Sequence, residues 1–314
     1  MSEARASSPL KSAVVTGAGG FIARGLLANL EGRGVRTQGL DLPDRSGHVI
    51  RCVDLSDLEA TERAFTSAAA DLGRGATVFH LAGFANASVC RADPPGAFAA
   101  NVTATANVLE ACRLVGISRV VFPSTALVYA LPGRLPIDEQ ASLGPRSIYA
   151  ASKIAAESML AGYAADYNFS IDIARLGNVY GPGGPAESVA STLLRQVLGD
   201  GHVHLRTLAP VRDFIHRDDV AEGFVRLSEA GSEPGLRVFN LSSGVATSIA
   251  QLADLAGRAV GNATPPIETE PGTRRDDQIA LDVESLYRRT GWKPAIPLLE
   301  GLVQTLNAIR EEVR

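Results

Sequence analysis

The sequence predicts an α/β protein built on a doubly wound parallel sheet, and three observations carry that expectation. Short apolar runs alternate with helical patterns through the N-terminal half. The first strand passes directly into a glycine turn and a helix. Later strands, such as residues 76–81, are almost continuously apolar, as strands covered by helices on both faces are. Five strand-and-helix alternations of this kind place ligand sites at the C-terminal ends of the strands.

Composition narrows the class. At 314 residues the chain has length for one large domain or two ordinary ones, and 46% hydrophobic with 20% charged residues marks a folded globular protein. The formal charge is −4, from 30 basic and 34 acidic residues with no basic run, so nucleic acid is not an expected partner. No apolar stretch approaches the roughly 18 residues that span a bilayer, and residues 1–11 form a polar leader without an apolar signal core. A disordered leader and a cytoplasmic protein with no membrane partner follow. Cys52, Cys90 and Cys112 are odd in number and lack zinc or thioredoxin spacing, so they read as reduced core or near-core thiols. The sequons at Asn101 and Asn262 then carry little weight.

Residues 12–16 form the first strand, which enters Gly17-Ala18-Gly19-Gly20-Phe21-Ile22-Ala23 and then a helix marked by Leu26, Leu27 and Leu30. Strand, glycine turn and helix in this order open a Rossmann-like sheet. Gly17 permits the tight turn, Gly20 lets the backbone approach a pyrophosphate, and the helix N-terminus offers free N–H groups to it. The strand that follows ends in Asp41, where a carboxylate meets the adenosine ribose hydroxyls. It would repel a 2′-phosphate and so favours NAD over NADP, while Arg45 keeps that choice open. A third strand over residues 49–53 closes on Asp54-Leu55, and an amphipathic helix covers 60–72. His80 inside the apolar strand 76–81 reads as a satisfied core residue. The small residues Ala82 and Gly83 after it let backbone pass close to a cofactor. A long helix over 97–115 carries Asn101, and residues 118–123 make another buried strand.

That strand leads into Ser124 and Thr125, two hydroxyls at the sheet edge. Tyr149 and Lys153 lie one turn apart on a helix over 147–167. A free phenol has a pKa of about 10, and a nearby ammonium lowers it toward use as a base. A tyrosine so tuned exchanges a proton with an alcohol or ketone while hydride moves at carbon, and a neighbouring hydroxyl can hold the same oxygen. Between these segments, the proline-rich residues 133–145, with Asp138-Glu139, read as a lid or surface loop. His202 and His204 share one side of a strand without a third ligand, so no metal site is expected.

Taken together, the glycine turn, Asp41, Asp54-Leu55, His80-Leu81-Ala82-Gly83, residues 124–129, Tyr149 with Lys153, and Arg175 to Pro182 resemble the extended short-chain dehydrogenase/reductase family. The branch is that of NAD-dependent nucleotide-sugar epimerases and dehydratases. Arg212-Asp213-Phe214 to Val220 and Thr290 to Pro294 match as well, so the resemblance spans about residues 12–310.

The resemblance implies an NAD domain over residues 12–178 plus about 212–242. It also implies a smaller, discontinuous C-terminal α/β substrate domain over about 179–211 plus 243–314. Residues 214–227 and the strand at 238–241 return to the first domain. Cofactor contacts fall on Gly17, Gly20, Phe21, Ile22 and Asp41, on Asp54 and Leu55, on Leu81, Ala82 and Gly83, and on Asn101, Ser124, Tyr149 and Lys153. The catalytic hydroxyl, four residues before the tyrosine of the Val128-Tyr129 pair, lands on Thr125, which also touches substrate. Asn178 and Arg212 fall where relatives hold the diphosphate and nucleotide, and Arg274 with Asp277 where they hold a ribose. Relatives pair the helices over 97–115 and 147–167 across a dimer axis. The alanines at 104, 106, 155 and 156 read as surface positions that permit this, so a homodimer is expected.

Departures from the family pattern refine the function. Ala23 replaces the third glycine. Ala126-Leu127 stands where dehydratases carry an acid and base pair, and neither residue can move a proton, so dehydration is disfavoured. Residues 202–210 lack the usual glycine-rich turn, and the spacing from Asp277 to Leu281-Asp282 is about two residues short. The expected activity is therefore NAD-dependent epimerisation of a nucleotide-activated sugar at C4, through a transient 4-keto intermediate. The alternatives are an NAD(P)-dependent ketoreductase or dehydrogenase of a sugar or related hydroxy compound, and a non-catalytic NAD-binding regulator.

Overall fold

The computed structural model describes residues 9–42, 50–130, 134–199, 201–261, 265–270 and 277–312. Arg45, Gly133, Asn262, Arg274 and most of the expected leader lie outside the described residues.

The chain opens with β1 (Ser12–Thr16), α1 (Phe21–Gly32), β2 (Arg36–Asp41), β3 (Ile50–Cys52), α2 (Leu58–Leu72) and β4 (Thr77–His80). Three helical pieces follow: α3 (Ala87–Ala92), α4 (Pro94–Phe98) and, after a π-helical turn over Ala99–Thr103, α5 (Ala104–Val115). Then come β5 (Arg119–Thr125), α6 (Ile148–Asp166), β6 (Ser170–Leu176), β7 (Asn178–Tyr180), α7 (Val189–Gly199), β8 (Val203–Leu205) and β9 (Val211–His216). The remainder is α8 (Arg217–Glu229), β10 (Gly235–Leu241), β11 (Ala246–Ser248), α9 (Ile249–Val260), β12 (Ile267–Thr269), α10 (Glu284–Thr290) and α11 (Leu298–Glu312).

Seven strands form the main sheet in the order β10-β6-β5-β4-β1-β2-β3, every neighbouring pair parallel. The order reverses between β1 and β4, and the crevice at such a reversal is where ligands sit in sheets of this kind. Successive residues of each strand serve opposite layers. Val14, Val78, Val120 and Ile171 pack with Phe65, Leu109 and Leu160 on one face. Val15, Phe79 and Val121 pack with Leu26 and Phe224 on the other. Burial on both faces is why these strands read as unbroken apolar runs. Ala23 belongs to the second layer at 1% exposure, so the residue in the third glycine's place is tolerated there.

A third cluster joins α7, α9 and α11 through Leu193, Leu252 and Leu306, beside a three-stranded sheet β11-β9-β7 and a two-stranded sheet β12-β8. Residues 214–227 divide between the two sets of layers. β10 and α8 do join the main sheet and its layer, but β9 pairs in the small sheet, and its alternation splits it: Phe214 faces the third cluster and Ile215 the layer of α8.

Other readings also shift. The single helix over 97–115 is broken at the π-helical turn, and α3, capped by Asn86, precedes it. Ala104 and Ala156 lie in the core rather than on the surface, at 4% and 0% exposure, whereas Ala106 and Ala155 are half-buried. Cys90 and Cys112 are buried, but Cys52, on the edge strand β3, is exposed. The described part of the 133–145 segment is tied down rather than lid-like: Ile137 is buried, its N–H donates to Ala280, and the Glu139 carboxylate accepts from Asn240 N. Among the described residues, no helix is long and apolar enough to cross a membrane.

Candidate active site

The crevice begins at the glycine turn. Gly17 has φ +64°, and a Cβ there would meet the backbone of Ala82 at 2.7 Å, so only glycine lets the ends of β1 and β4 approach this closely. Gly20 is the N-cap of α1 and offers no side-chain cap, which leaves the first N–H groups, around Phe21 and Ile22, without a side-chain acceptor. Asp41 ends β2 at 8% exposure, and its Oδ2 accepts from Gly19 N at 2.7 Å. The acidic strand end and the glycine turn are thus one unit.

Asp54 accepts from Ser56 N and Oγ at 2.9 and 2.7 Å, which closes the turn before α2, and Leu55 is buried beside it. Leu81, Ala82 and Gly83 leave β4 next to Thr16, which accepts from Leu81 N through its carbonyl and from Ala82 N through Oγ1. Gly83, at φ +143°, lies against the Asn101 side chain. The π-helical turn aims Asn101 inward at 2% exposure. Its amide accepts from Phe84 N at 2.7 Å and donates to Phe84 O and Ser152 Oγ, pinning the β4 exit to α6. His80 is the satisfied core residue its setting implied, with Nδ1 2.7 Å from Thr16 Oγ1 and Nε2 3.0 Å from Thr105 Oγ1. Burial and the Lys153 charge push its pKa down to about 3.

At the end of β5, the sequence-expected group comes together. Thr125 is 8% exposed, and its side chain lies close enough to the Tyr149 hydroxyl to favour the phenolate. Lys153 is 7% exposed, with Nζ 3.9 Å from the centre of the Phe122 ring. The electrostatics differ from the expectation drawn from spacing. Burial pushes the Tyr149 phenol up to about 12, against the nearby Thr125 side chain that favours the phenolate, and burial pushes Lys153 down to about 7. One helical turn makes two residues neighbours. It does not aim the ammonium at the phenol, and here Lys153 turns toward Phe122 instead.

Ser124, adjoining Thr125, points the other way and donates from Oγ to the Glu157 carboxylate, which also pairs with Arg175 at 2.7 Å. Sequence reading missed Glu157, although its place four residues after Lys153 is the visible signal. On the substrate side, Asn178 starts β7 in register with Phe214. Arg212 donates to Asp277 O at 2.7 Å, and the Asp277 carboxylate pairs with Arg146 at 2.9 Å. Arg212 and Asp277 therefore do meet, with Arg146 as an unforeseen third member. His204 pairs with Glu268 at 3.2 Å on the exposed edge of the two-stranded sheet.

Comparison with known proteins agrees with this geometry. A UDP-glucose 4-epimerase of Mycolicibacterium smegmatis is 31% identical over 95% of this chain and 98% of its own length. A solved UDP-glucose 4-epimerase with UDP-glucose from Thermotoga maritima is similar at a TM-score of 0.86 and 25% identity, over 96% of this chain and 100% of that one. Another, from Thermus thermophilus in complex with NAD, has a TM-score of 0.81 and 29% identity, over 95% and 99% of the two chains. Residues 13–242 match the model of the NAD dependent epimerase/dehydratase family, and the chain belongs to that family.

Proposed function

We propose that the protein is an NAD-dependent epimerase of a nucleotide-activated sugar, inverting C4 through a transient 4-keto intermediate. The observation that carries this reading is the meeting of the Thr125 side chain and the Tyr149 hydroxyl at the C-terminal end of β5 in the parallel sheet, one helical turn from Lys153. The residues present fit the cofactor: a glycine turn no side chain could occupy, a helix N-terminus without a side-chain cap, and Asp41 at the ribose position. NAD, when bound, supplies the group that accepts hydride and returns it. Gly17, Gly20, Phe21 and Ile22 would hold its diphosphate and Asp41 its ribose, with Asp54, Leu55, Leu81, Ala82, Gly83, Asn101 and Ser124 shaping the remaining wall.

In this reading Tyr149 moves the proton of the sugar 4-hydroxyl, Thr125 holds the same oxygen, and Lys153 adds positive charge. Desolvation of the hydroxyl of half-buried Tyr149 raises its pKa, so added positive charge is what would favour the phenolate. Asn178 and Arg212 would grip the nucleotide diphosphate, a task suited to a guanidinium fork, and Asp277 would hold the ribose. Residues 12–178 with 212–242 would carry the cofactor and 179–211 with 243–314 the substrate. A homodimer through α5 and α6 fits the exposed Leu114 and Tyr167 at their ends, and a cytoplasmic site of action fits the reduced thiols.

The test is turnover of UDP-glucose, the substrate named for the relatives, without added cofactor. Conversion at C4 with no net change in nicotinamide absorbance is expected. A stoichiometric absorbance change would instead identify a reductase. Tyr149→Phe should retain NAD and lose about 10²- to 10⁴-fold in kcat; a fully active variant would refute the assignment.

A further inference from the structure

Glu157 stands on α6 one turn beyond Lys153, at 6% exposure. Its Oε1 accepts from Ser124 Oγ and from Arg175 Nε at 3.2 Å, and its Oε2 accepts from Arg175 Nη2 at 2.7 Å. Arg175 in turn lies 4.8 Å from the centre of the Tyr129 ring, whose hydroxyl donates to Asn240 on β10 at 2.7 Å. One buried carboxylate thus ties α6 to the ends of β5 and β6, and through Tyr129 to β10. Burying an ion pair is costly, and an apolar pair of the same volume would serve stability as well. Packing alone does not account for it.

Position does. Ser124 adjoins Thr125, which lies beside the Tyr149 hydroxyl, and Lys153 is one helical turn from Glu157. We propose that Glu157 is a positioning residue of this site: clamped by Arg175, it fixes the strand end that carries Thr125 and sets a carboxylate one helical turn from the Lys153 ammonium. The proposal rests on the functional reading of Thr125, Tyr149 and Lys153 given above.

The surroundings of Lys153 support it. From α6 comes Glu157, from α3 the Cys90 thiol, from β4 the His80 imidazole and from β5 the Phe122 ring. His80 is neutral at working pH, and Cys90 is a thiol whose burial keeps it protonated. Glu157 is the foremost charge opposing the desolvation of Lys153.

The chain has three lysines, Lys11, Lys153 and Lys293, so the titration of Lys153 can be followed directly by NMR of lysine-labelled protein, with Lys153→Met to assign the signal. Glu157→Gln keeps the shape and the acceptor for Ser124 but removes the charge. The Lys153 midpoint should fall by about one pH unit. In the NAD-bound enzyme with UDP-glucose, the alkaline limb of kcat/KM should move down by a similar amount. At pH 8, kcat should fall about tenfold while KM changes less than about threefold. Glu157→Asp should restore part of the limb.

Because Glu157→Gln leaves Arg175 buried without a counter-ion, the double variant Glu157→Gln with Arg175→Gln is measured beside it, each checked by circular dichroism and melting. An unmoved Lys153 midpoint in folded Glu157→Gln overturns the proposal, as does a double variant, which also removes the opposing Arg175 charge, whose midpoint fails to lie above that of Glu157→Gln. A parent protein that turns over no nucleotide sugar would count against the proposed function instead, and the lysine titration would still decide the role of Glu157.

Discussion

Lys153 shows how far a single residue can be read. Its spacing from Tyr149 singles out a candidate pair, and the structure sets the Tyr149 hydroxyl beside Thr125 and the Lys153 ammonium over the Phe122 ring. The direction of the pKa shifts was not legible, because spacing along a helix says nothing of burial. Burial holds Lys153 near 7 against an ordinary 10.5, so between those values the unfolded chain binds a proton the folded one lacks. Stability from this group therefore rises with pH across that window, and the penalty is complete below about pH 7. Lys153→Met removes the penalty. It should raise the melting temperature at pH 6 by a few degrees, corresponding to about 1–3 kcal/mol, raise it less at pH 9.5, and abolish most turnover. Paired thermal melts at the two pH values check this; a variant less stable at pH 6 would contradict it. Asp277 teaches a similar lesson. It was foreseen as a ribose ligand, yet its ion pair with Arg146, which lies 131 positions away in the sequence, is a contact that no local pattern announces.

Elements were most legible where one force sets them. β1, β4 and β5 follow from apolar runs buried on two faces, and α6 from its N-cap Ser147. The region between β4 and β5 was harder, because its helical period is interrupted. Asn86 and Asp93 each cap a short helix, the second with proline in its first turn, and these local signals are set within an alanine-rich stretch. The π-helical turn that follows cannot be seen in periodicity, since one extra residue in a turn leaves composition unchanged. The glycine turn was legible in full, and its geometry yields a sharp expectation. Gly17→Ala would place a methyl group 2.7 Å from the Ala82 backbone at a positive φ. The strain, about 1–3 kcal/mol, should lower the melting temperature and greatly weaken NAD binding, measured by fluorescence titration of NADH. Undiminished binding would mean that the turn is not the cradle.

At the scale of the molecule, the chain leaves the main sheet after β6, builds part of the second unit, and returns to add β10 before completing that unit. This return was legible only through family resemblance, because β10 carries no mark that distinguishes it from an independent strand. Its consequence is that β6, buried at all seven residues, is an inner strand only while β10 is present. A chain ending after Glu229 should expose that apolar edge and collect in the insoluble fraction, whereas a soluble monomer with native-like circular dichroism would show that the sheet tolerates the loss.

The order of strands also sets a timetable for synthesis. The large sheet cannot be finished until residue 241 of 314 has left the ribosome. Until then the nascent chain carries an unpaired β6 whose backbone groups can join any neighbouring strand. The length of time for which β6 goes without its partner is thus set by the position of one strand.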